Sequence, residues 1–178
     1  MADRVTKEQR SCIMSHIHSE STKPELILRT LLWRRGFRYR VNQRKLPGTP
    51  DIVLPKYRTV IFVHGCFWHG HNGCSSGHIP HSNTEYWTRK ISRNQERDQE
   101  VWRQLEAKGW FVIIVWECEL KKSRFEDTVN SVAAEIVRNG NTYHYIQAAR
   151  KKARALYQEE QKGRKEREAA LKAELHSQ

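Results

Sequence analysis

The chain lacks any apolar run near the roughly 20 residues that a bilayer-crossing helix needs. It also shows no secretory signal segment and no internal repeat. These absences argue against a membrane-spanning, exported or repeat protein and make the cytoplasm the expected location. Acidic residues are in deficit, with 20 Asp and Glu against 32 Lys and Arg, a formal charge of +12 and a pI near 9.8. Clustered Lys and Arg bind phosphate largely by releasing counterions, so this excess points to a polyanionic partner, nucleic acid ahead of an anionic membrane. Cysteine is sparse, at four residues. In a reducing compartment, and spaced with histidine as they are, these cysteines fit a metal thiolate better than disulfides, with Cys12 left over. A hydrophobic content of 38% and a mean hydropathy of -0.82 allow one real core together with polar extensions.

Periodicity predicts an α/β core in the order ααβββαβα. Residues 6 to 35 read as two helices split at 19 to 23. Ser21 or Thr22 caps the second, Pro24 lies in its first turn, Leu26, Ile27, Leu31 and Leu32 form its apolar stripe, and Gly36 ends it. Residues 37 to 41, 51 to 54 and 59 to 63 read as a three-stranded meander punctuated by Pro-Gly and Pro-Lys. Residues 84 to 108 carry Trp87, Ile91, Val101, Trp102 and Leu105 at helical intervals up to Gly109. Residues 110 to 116 look like a strand buried on both faces, and 126 to 137 like a helix stopped by Asn139-Gly140. The expected domain spans 1 to 145. Residues 146 to 178 form a basic extension, helical or partly disordered, read either as a solvated arm or as a DNA-backbone contact through Arg150, Lys151, Lys152 and Arg154. Arg34, Arg35, Arg38, Arg40, Arg44 and Lys45 are expected beside the site as phosphate contacts.

Cys66, His71, Cys74 and Cys118 carry the firmest chemical signal. Three closely spaced soft ligands and a remote cysteine just past a strand match a closed, structural zinc site, with no position left for water. The competing reading makes Cys118 an ordinary buried thiol and the histidines surface residues; His78 and His81 are rival ligands. Asp51 follows Pro50 at the start of an apolar strand, and the neighbouring run Val60-Ile61-Phe62-Val63-His64 ends at the zinc loop. A carboxylate, an imidazole and an exposed carbonyl would then meet at one end of the sheet, a donor set suited to magnesium.

With these residues in view, the chain resembles the very short patch repair endonucleases of bacteria over residues 1 to about 140. The segments that carry the likeness are Leu46-Pro47-Gly48-Thr49-Pro50-Asp51, Val60 to His69 through Gly65-Cys66-Phe67-Trp68, Glu85-Tyr86-Trp87, Asn94 to Asp98, and Val115-Trp116-Glu117-Cys118. The resemblance implies a restriction-endonuclease-like fold, a mixed central sheet flanked by helices. It implies magnesium-dependent nicking of one strand of double-stranded DNA 5' to a thymine mispaired with guanine, the mispair left by deamination of 5-methylcytosine. Within it, Asp51 and the Val63 carbonyl match the magnesium ligands, and His64 and Glu25 match residues that hold metal-bound waters. His69 matches the general base and Asp98 the carboxylate that orients it. Phe67, Trp68 and Trp87 match aromatics that intercalate from the major groove, and Met14 a residue inserted from the minor groove. A monomer acting at the nucleoid is implied; contacts with other mismatch-repair proteins are left open.

Some readings compete with these. Glu25 and Asp98 would each pass as a solvated helix carboxylate, Trp87 as helix core and Met14 as packing against the sheet. Adjacent aromatics cannot both enter one sheet face, so Phe67 and Trp68 favour the wedge. The chain departs from general restriction nucleases in having no Glu-x-Lys on the second strand, which leaves that work to histidines. It departs from the repair family in one extra residue between His71 and Cys74 and in the long basic tail. Two alternatives stand beside the enzyme: a zinc-stapled binder of distorted DNA that cuts nothing, and a restriction-type nuclease that cuts both strands.

Overall fold

The structure, a computed structural model, describes residues 9, 21–81 and 83–175; Cys12 and Met14 lie outside the described residues. The chain divides into two compact units, Met1–Asn139 and Gly140–Gln178. The first holds a mixed sheet of three strands, β1 (Ile52–Leu54), β2 (Thr59–His64) and β3 (Phe111–Trp116), in the order β1-β2-β3. β1 pairs antiparallel with β2, Ile52 opposite Ile61, and β2 pairs parallel with β3, His64 opposite Trp116. A parallel neighbour requires a crossover. Helix α2 (Thr84–Ala107) lies in that connection, while α1 (Lys23–Arg34) precedes the sheet and α3 (Phe125–Leu175) follows it.

The period-2 alternation of strands divides the core between two faces. Ile52, Leu54, Ile61, Ile113 and Val115 pack with Leu28 and Leu32 of α1 and with Val129, Val132 and Ile136 of α3. Val53, Val60 and Phe62 pack on the other face with Leu105, Val101 and Trp102 of α2. Two of the three expected glycine stops hold. Gly36 (φ 85°) and Gly109 (φ 75°) take the left-handed conformation just past α1 and α2. Each closes its helix with a paired bond: Phe37 N–H to Leu32 O with Gly36 N–H to Trp33 O, and Trp110 N–H to Leu105 O with Gly109 N–H to Glu106 O.

Four expectations are corrected. Residues 37 to 41 form no strand; only Arg40 bridges to Val53, so the sheet is not a three-stranded meander, and the third strand is β3. Branched and aromatic residues there pack from an extended segment instead: Phe37 lies in the core and Tyr39 against it. β3 is buried only at Ile113 and Val115, whose side chains share the face that packs on α1 and α3, while Val112 and Ile114 on the other face are half-buried. The α1 stripe is Glu25, Leu28, Arg29 and Leu32, while Leu26 is exposed. α3 does not stop at Asn139-Gly140 but runs to Leu175. One glycine in a helix interior costs only about 1 kcal/mol, which the flanking helix formers offset.

The second unit, residues 140–175 as described, is helical, and its Tyr145, Leu156 and Tyr157 are exposed. Among the described residues no helix is long and apolar enough to cross a membrane.

Candidate active site and metal cluster

Antiparallel pairing brings the start of β1 to the end of β2, and parallel pairing brings the end of β3 there as well. Asp51, His64 and Glu117 therefore share one end of the sheet, where they line a cleft of about 730 Å³ together with Glu25, His69 and Asp98. The ladder between β1 and β2 ends at Ile52–Ile61. Beyond it the Asp51 side chain takes over the edge, Oδ2 accepting the Val63 N–H at 2.7 Å. A strand residue's N–H and C=O leave on the same edge, so the Val63 carbonyl emerges beside Asp51. Burial pushes the Asp51 carboxyl up to about 6, with the Val63 N–H and the Arg29 and His69 charges opposing and Glu25 reinforcing the rise. A carboxylate so short of compensating charge suits a bound cation.

His69 and Asp98 meet because α2 turns one stripe inward. Ile91, Asp98 and Leu105 recur every seventh residue and are the buried ones. Asp98 thus occupies a core position of an amphipathic helix, and the expectation of a solvated carboxylate is overturned. Its Oδ2 lies 2.5 Å from His69 Nδ1. With Nδ1 engaged, Nε2 is the free nitrogen. The His64 ring stacks on His69 at 3.7 Å between centroids. Burial, and then the His69 charge, push His64 down to about 4, so it is neutral near pH 7. Donor atoms of His64, His69 and Asp98 all lie within 4.8 Å of one another.

Glu25 is also buried, not solvated, at 3% exposure. One oxygen accepts the Thr22 hydroxyl at 2.8 Å and the other the Ser21 N–H at 3.0 Å and the Arg29 guanidinium at 2.9 Å. The expected arginine patch is placed differently. Arg35 pairs with Glu126 at 2.7 Å and with Asn130, and the Arg38 guanidinium lies over Trp33, 3.9 Å from its ring centre. None of the six expected basic residues lines the cleft; Arg97 does.

Beside the cleft, Cys66, His71, Cys74 and Cys118 bring one donor atom each within 4.8 Å of the others. His71 Nδ1 is 3.4 Å from both Cys66 Sγ and Cys118 Sγ. Ligand bonds of about 2.3 Å to sulfur and 2.0–2.1 Å to nitrogen around a tetrahedral ion put such atoms about 3.5 Å apart, so the four residues could hold a metal ion. Burial pushes the Cys66 thiol up to about 12 and raises that of Cys118, while the Ser76 N–H lowers that of Cys74. Packed thiols of this kind ionise readily only beside a cation. His78 and His81 lie edge to face against each other and outside the cluster.

Several supports of the loop escaped the sequence reading. Glu117 accepts the Cys66 N–H at 2.9 Å, Asn94 donates to the Trp68 carbonyl at 2.8 Å, and Gln95 donates to the His69 carbonyl at 3.2 Å. Trp116 stacks on His71 at 4.1 Å. Asn94 and Gln95 flank the inward stripe of α2, a position that periodicity alone could have flagged. Phe67, Trp68 and Trp87 form an edge-to-face trio with centroids 5.0–6.0 Å apart, each half-buried. Trp87 thus belongs with the loop aromatics and not with the helix core.

Comparison with known proteins agrees with this geometry. The family model described as DNA mismatch endonuclease Vsr matches residues 2–75. A type II nicking enzyme, V.NmeAIP, of Neisseria meningitidis is 51% identical over 137 residues, 76% of this chain and 97% of the relative. The DNA mismatch endonuclease Vsr of Escherichia coli is 46% identical over 121 residues, 68% of this chain and 77% of the relative. A further type II nicking enzyme, V.NaeI of Lentzea aerocolonigenes, is 35% identical over 144 residues, 78% of each chain. With a histidine–aspartate pair sharing a cleft with Asp51 at the sheet end, and relatives of this identity and coverage, the chain belongs to the very short patch repair family of DNA mismatch endonucleases.

Proposed function

We propose that the protein nicks one strand of duplex DNA 5' to a thymine mispaired with guanine, by magnesium-dependent hydrolysis with His69 as general base. The observation that carries this reading is the His69–Asp98 pair, lodged in the same cleft as Asp51 and within one residue of the Phe67-Trp68 wedge. His69 Nδ1–H donates to Asp98, which leaves Nε2 to take a proton from the attacking water as its oxygen bonds to phosphorus, while the bond from phosphorus to the departing sugar oxygen breaks and that oxygen takes a proton from solvent water. The Asp98 carboxylate then faces the imidazolium it helps to stabilise. Neutral His64 and the Glu25 carboxylate orient water near Asp51. Asp51 and the Val63 carbonyl would hold magnesium, whose chemistry when bound is to offset charge on the phosphate. Oxygen donors and an under-compensated carboxylate fit that ion; the sulfur-rich cluster fits zinc in a structural role.

Phe67, Trp68 and Trp87 enter the stack at the mispaired step, which opens at lower cost than a paired one; Met14 is assigned the minor-groove side. The mixed sheet with its carboxylate at the start of β1 supports a restriction-endonuclease-like arrangement. Residues 1–145 form the endonuclease domain, working as a cytoplasmic monomer, and 146–178 a basic arm along the DNA backbone. The test is a labelled duplex bearing one thymine-guanine mispair, incubated with magnesium and wild type, Asp51→Ala or His69→Ala. Nicking by wild type alone is expected, with His69→Ala down by about 10²–10⁴-fold. Binding without cleavage by all three would instead establish a non-catalytic binder, and cutting of both strands in paired DNA a restriction-type enzyme.

A further inference from the structure

We propose that Arg29 is a positioning residue of the cleft: its guanidinium ties the Glu25 carboxylate to the main chain of Asp51 and so fixes the oxygen donors offered to a divalent cation. This rests on the endonuclease reading above. Arg29 lies on the inward stripe of α1, 7% exposed, one turn after Glu25. Its Nη2 donates to Glu25 Oε2 at 2.9 Å, to Asn42 Oδ1 at 3.1 Å and to the Asp51 carbonyl at 3.1 Å. Nη1 reaches Ser21 Oγ at 3.4 Å. Three segments converge on one planar group: the start of α1, the loop at Asn42 (φ 46°), and the residue just before β1.

Stability alone accounts poorly for this arrangement. Taking a guanidinium and a carboxylate out of water costs several kcal/mol per ion before their attraction offsets it, and well-packed apolar residues often do as well. Leu28 and Leu32, on the same stripe, already fill the core. Arg29 Nε is the one buried side-chain polar atom without a partner among the described residues. What the guanidinium provides is placement. It grips the main chain at Asp51 while the Asp51 side chain is held from the other side by the Val63 N–H. The carboxylate is thereby fixed at its backbone and at one oxygen. Lysine ends one bond short of Nη2 and has no counterpart to Nη1, so it cannot reach Glu25, Asn42, the Asp51 carbonyl and Ser21 together.

The test uses the full-length protein bound to a mismatched duplex and Mn2+ as the calorimetric probe. Mn2+ affinity, thermal midpoint and duplex affinity are read for wild type, Arg29→Lys, Glu25→Gln and the double variant Glu25→Gln/Arg29→Met, which leaves neither buried charge unpaired. Arg29→Lys is expected to weaken Mn2+ binding on the order of 10- to 100-fold, as loss of a ligand's supporting partner does, with duplex affinity kept. The magnesium concentration for half-maximal nicking should rise in step. Unchanged Mn2+ affinity in Arg29→Lys, whatever its thermal midpoint, would overturn the proposal. If Arg29→Lys fails to fold, the double variant decides: a further loss of Mn2+ affinity below Glu25→Gln supports positioning, and equality with it refutes positioning. A wild type that binds Mn2+ but never nicks the mispaired duplex would sink the functional reading instead, leaving the affinity series to judge Arg29.

Discussion

At the scale of single residues the cleft is governed by burial. Asp98 sits where an amphipathic helix would place an apolar residue, and only His69 Nδ1–H satisfies its Oδ2 at close range. Asp98→Asn keeps the shape but presents a neutral amide in place of a charge-stabilising acceptor. Single-turnover nicking should fall by about 10- to 100-fold with duplex affinity intact; an unchanged rate would remove Asp98 from the mechanism. Asp51 sets the acid behaviour. Its carboxyl is pushed up by burial to about 6, so protons compete with a divalent cation as pH falls through that value. The acid limb of the nicking profile should therefore move to lower pH as magnesium is raised, and a limb indifferent to magnesium would take Asp51 out of the metal bed. Stability of the metal-free protein responds with opposite signs. The raised Asp51 favours the folded state below its unfolded value and loses that contribution as pH rises through about 6. The depressed His64 contributes above its unfolded value and loses that as pH falls toward about 4.

The Cys66, His71, Cys74 and Cys118 cluster was visible in the sequence because cysteine is scarce and its spacing with histidine restricts what the set can bind. Arg29 was not. A search for apolar periodicity on α1 selects Leu26, Ile27, Leu31 and Leu32, whereas the stripe that is buried shares only Leu32 with that set and adds Leu28 and an ion pair. Charged residues at core positions defeat hydrophobic patterning, and this site is built largely from such residues.

At the scale of elements, the three strands and the ends of α1 and α2 were readable, while the extended segment at 37 to 41 and the end of α3 were not. Glycine just past a helix closes it through local bonds that sequence specifies. Residues 37 to 41 have strand composition, yet pairing depends on what lies alongside, and there it amounts to the bridge from Arg40 to Val53. The loop that carries Cys66, His71 and Cys74 is pinned to α2 at one glycine. Gly70 has φ 63°, and a Cβ there would meet Gln95 Nε2 at 2.6 Å and Ile91 Cγ2 at 2.7 Å. Gly70→Ala should cost about 2 kcal/mol from the left-handed backbone and the contact together, read from chemical denaturation. The cysteine cluster joins that loop to the end of β3. Its dismantling by Cys118→Ser or a strong chelator should cost about 4 kcal/mol or more, as loss of a structural metal does. Metal analysis accompanied by an unshifted thermal midpoint would show the cluster to be incidental.

At the scale of the whole molecule, charge is divided between the units. Residues 140–178 carry nine Lys and Arg against five Glu, +4 of the total +12. Among the described residues of that unit, Tyr145, Leu156 and Tyr157 are exposed. If Arg150, Lys151, Lys152 and Arg154 all contact phosphate, deletion after Asn139 should lower the slope of log affinity against log salt by about 3 to 4. The nicking rate at saturating DNA should stay the same. An unchanged slope would make the tail a solvated extension.

Helix α2 carries Trp87 near its start and Asp98 three turns later, about 16 Å along one rod at 1.5 Å per residue. On the reading proposed above, the element that would feel whether a base step yields is also the one that would aim the proton acceptor. A duplex too stiff to admit the ring would then leave the lever out of line, and the strand would stay whole.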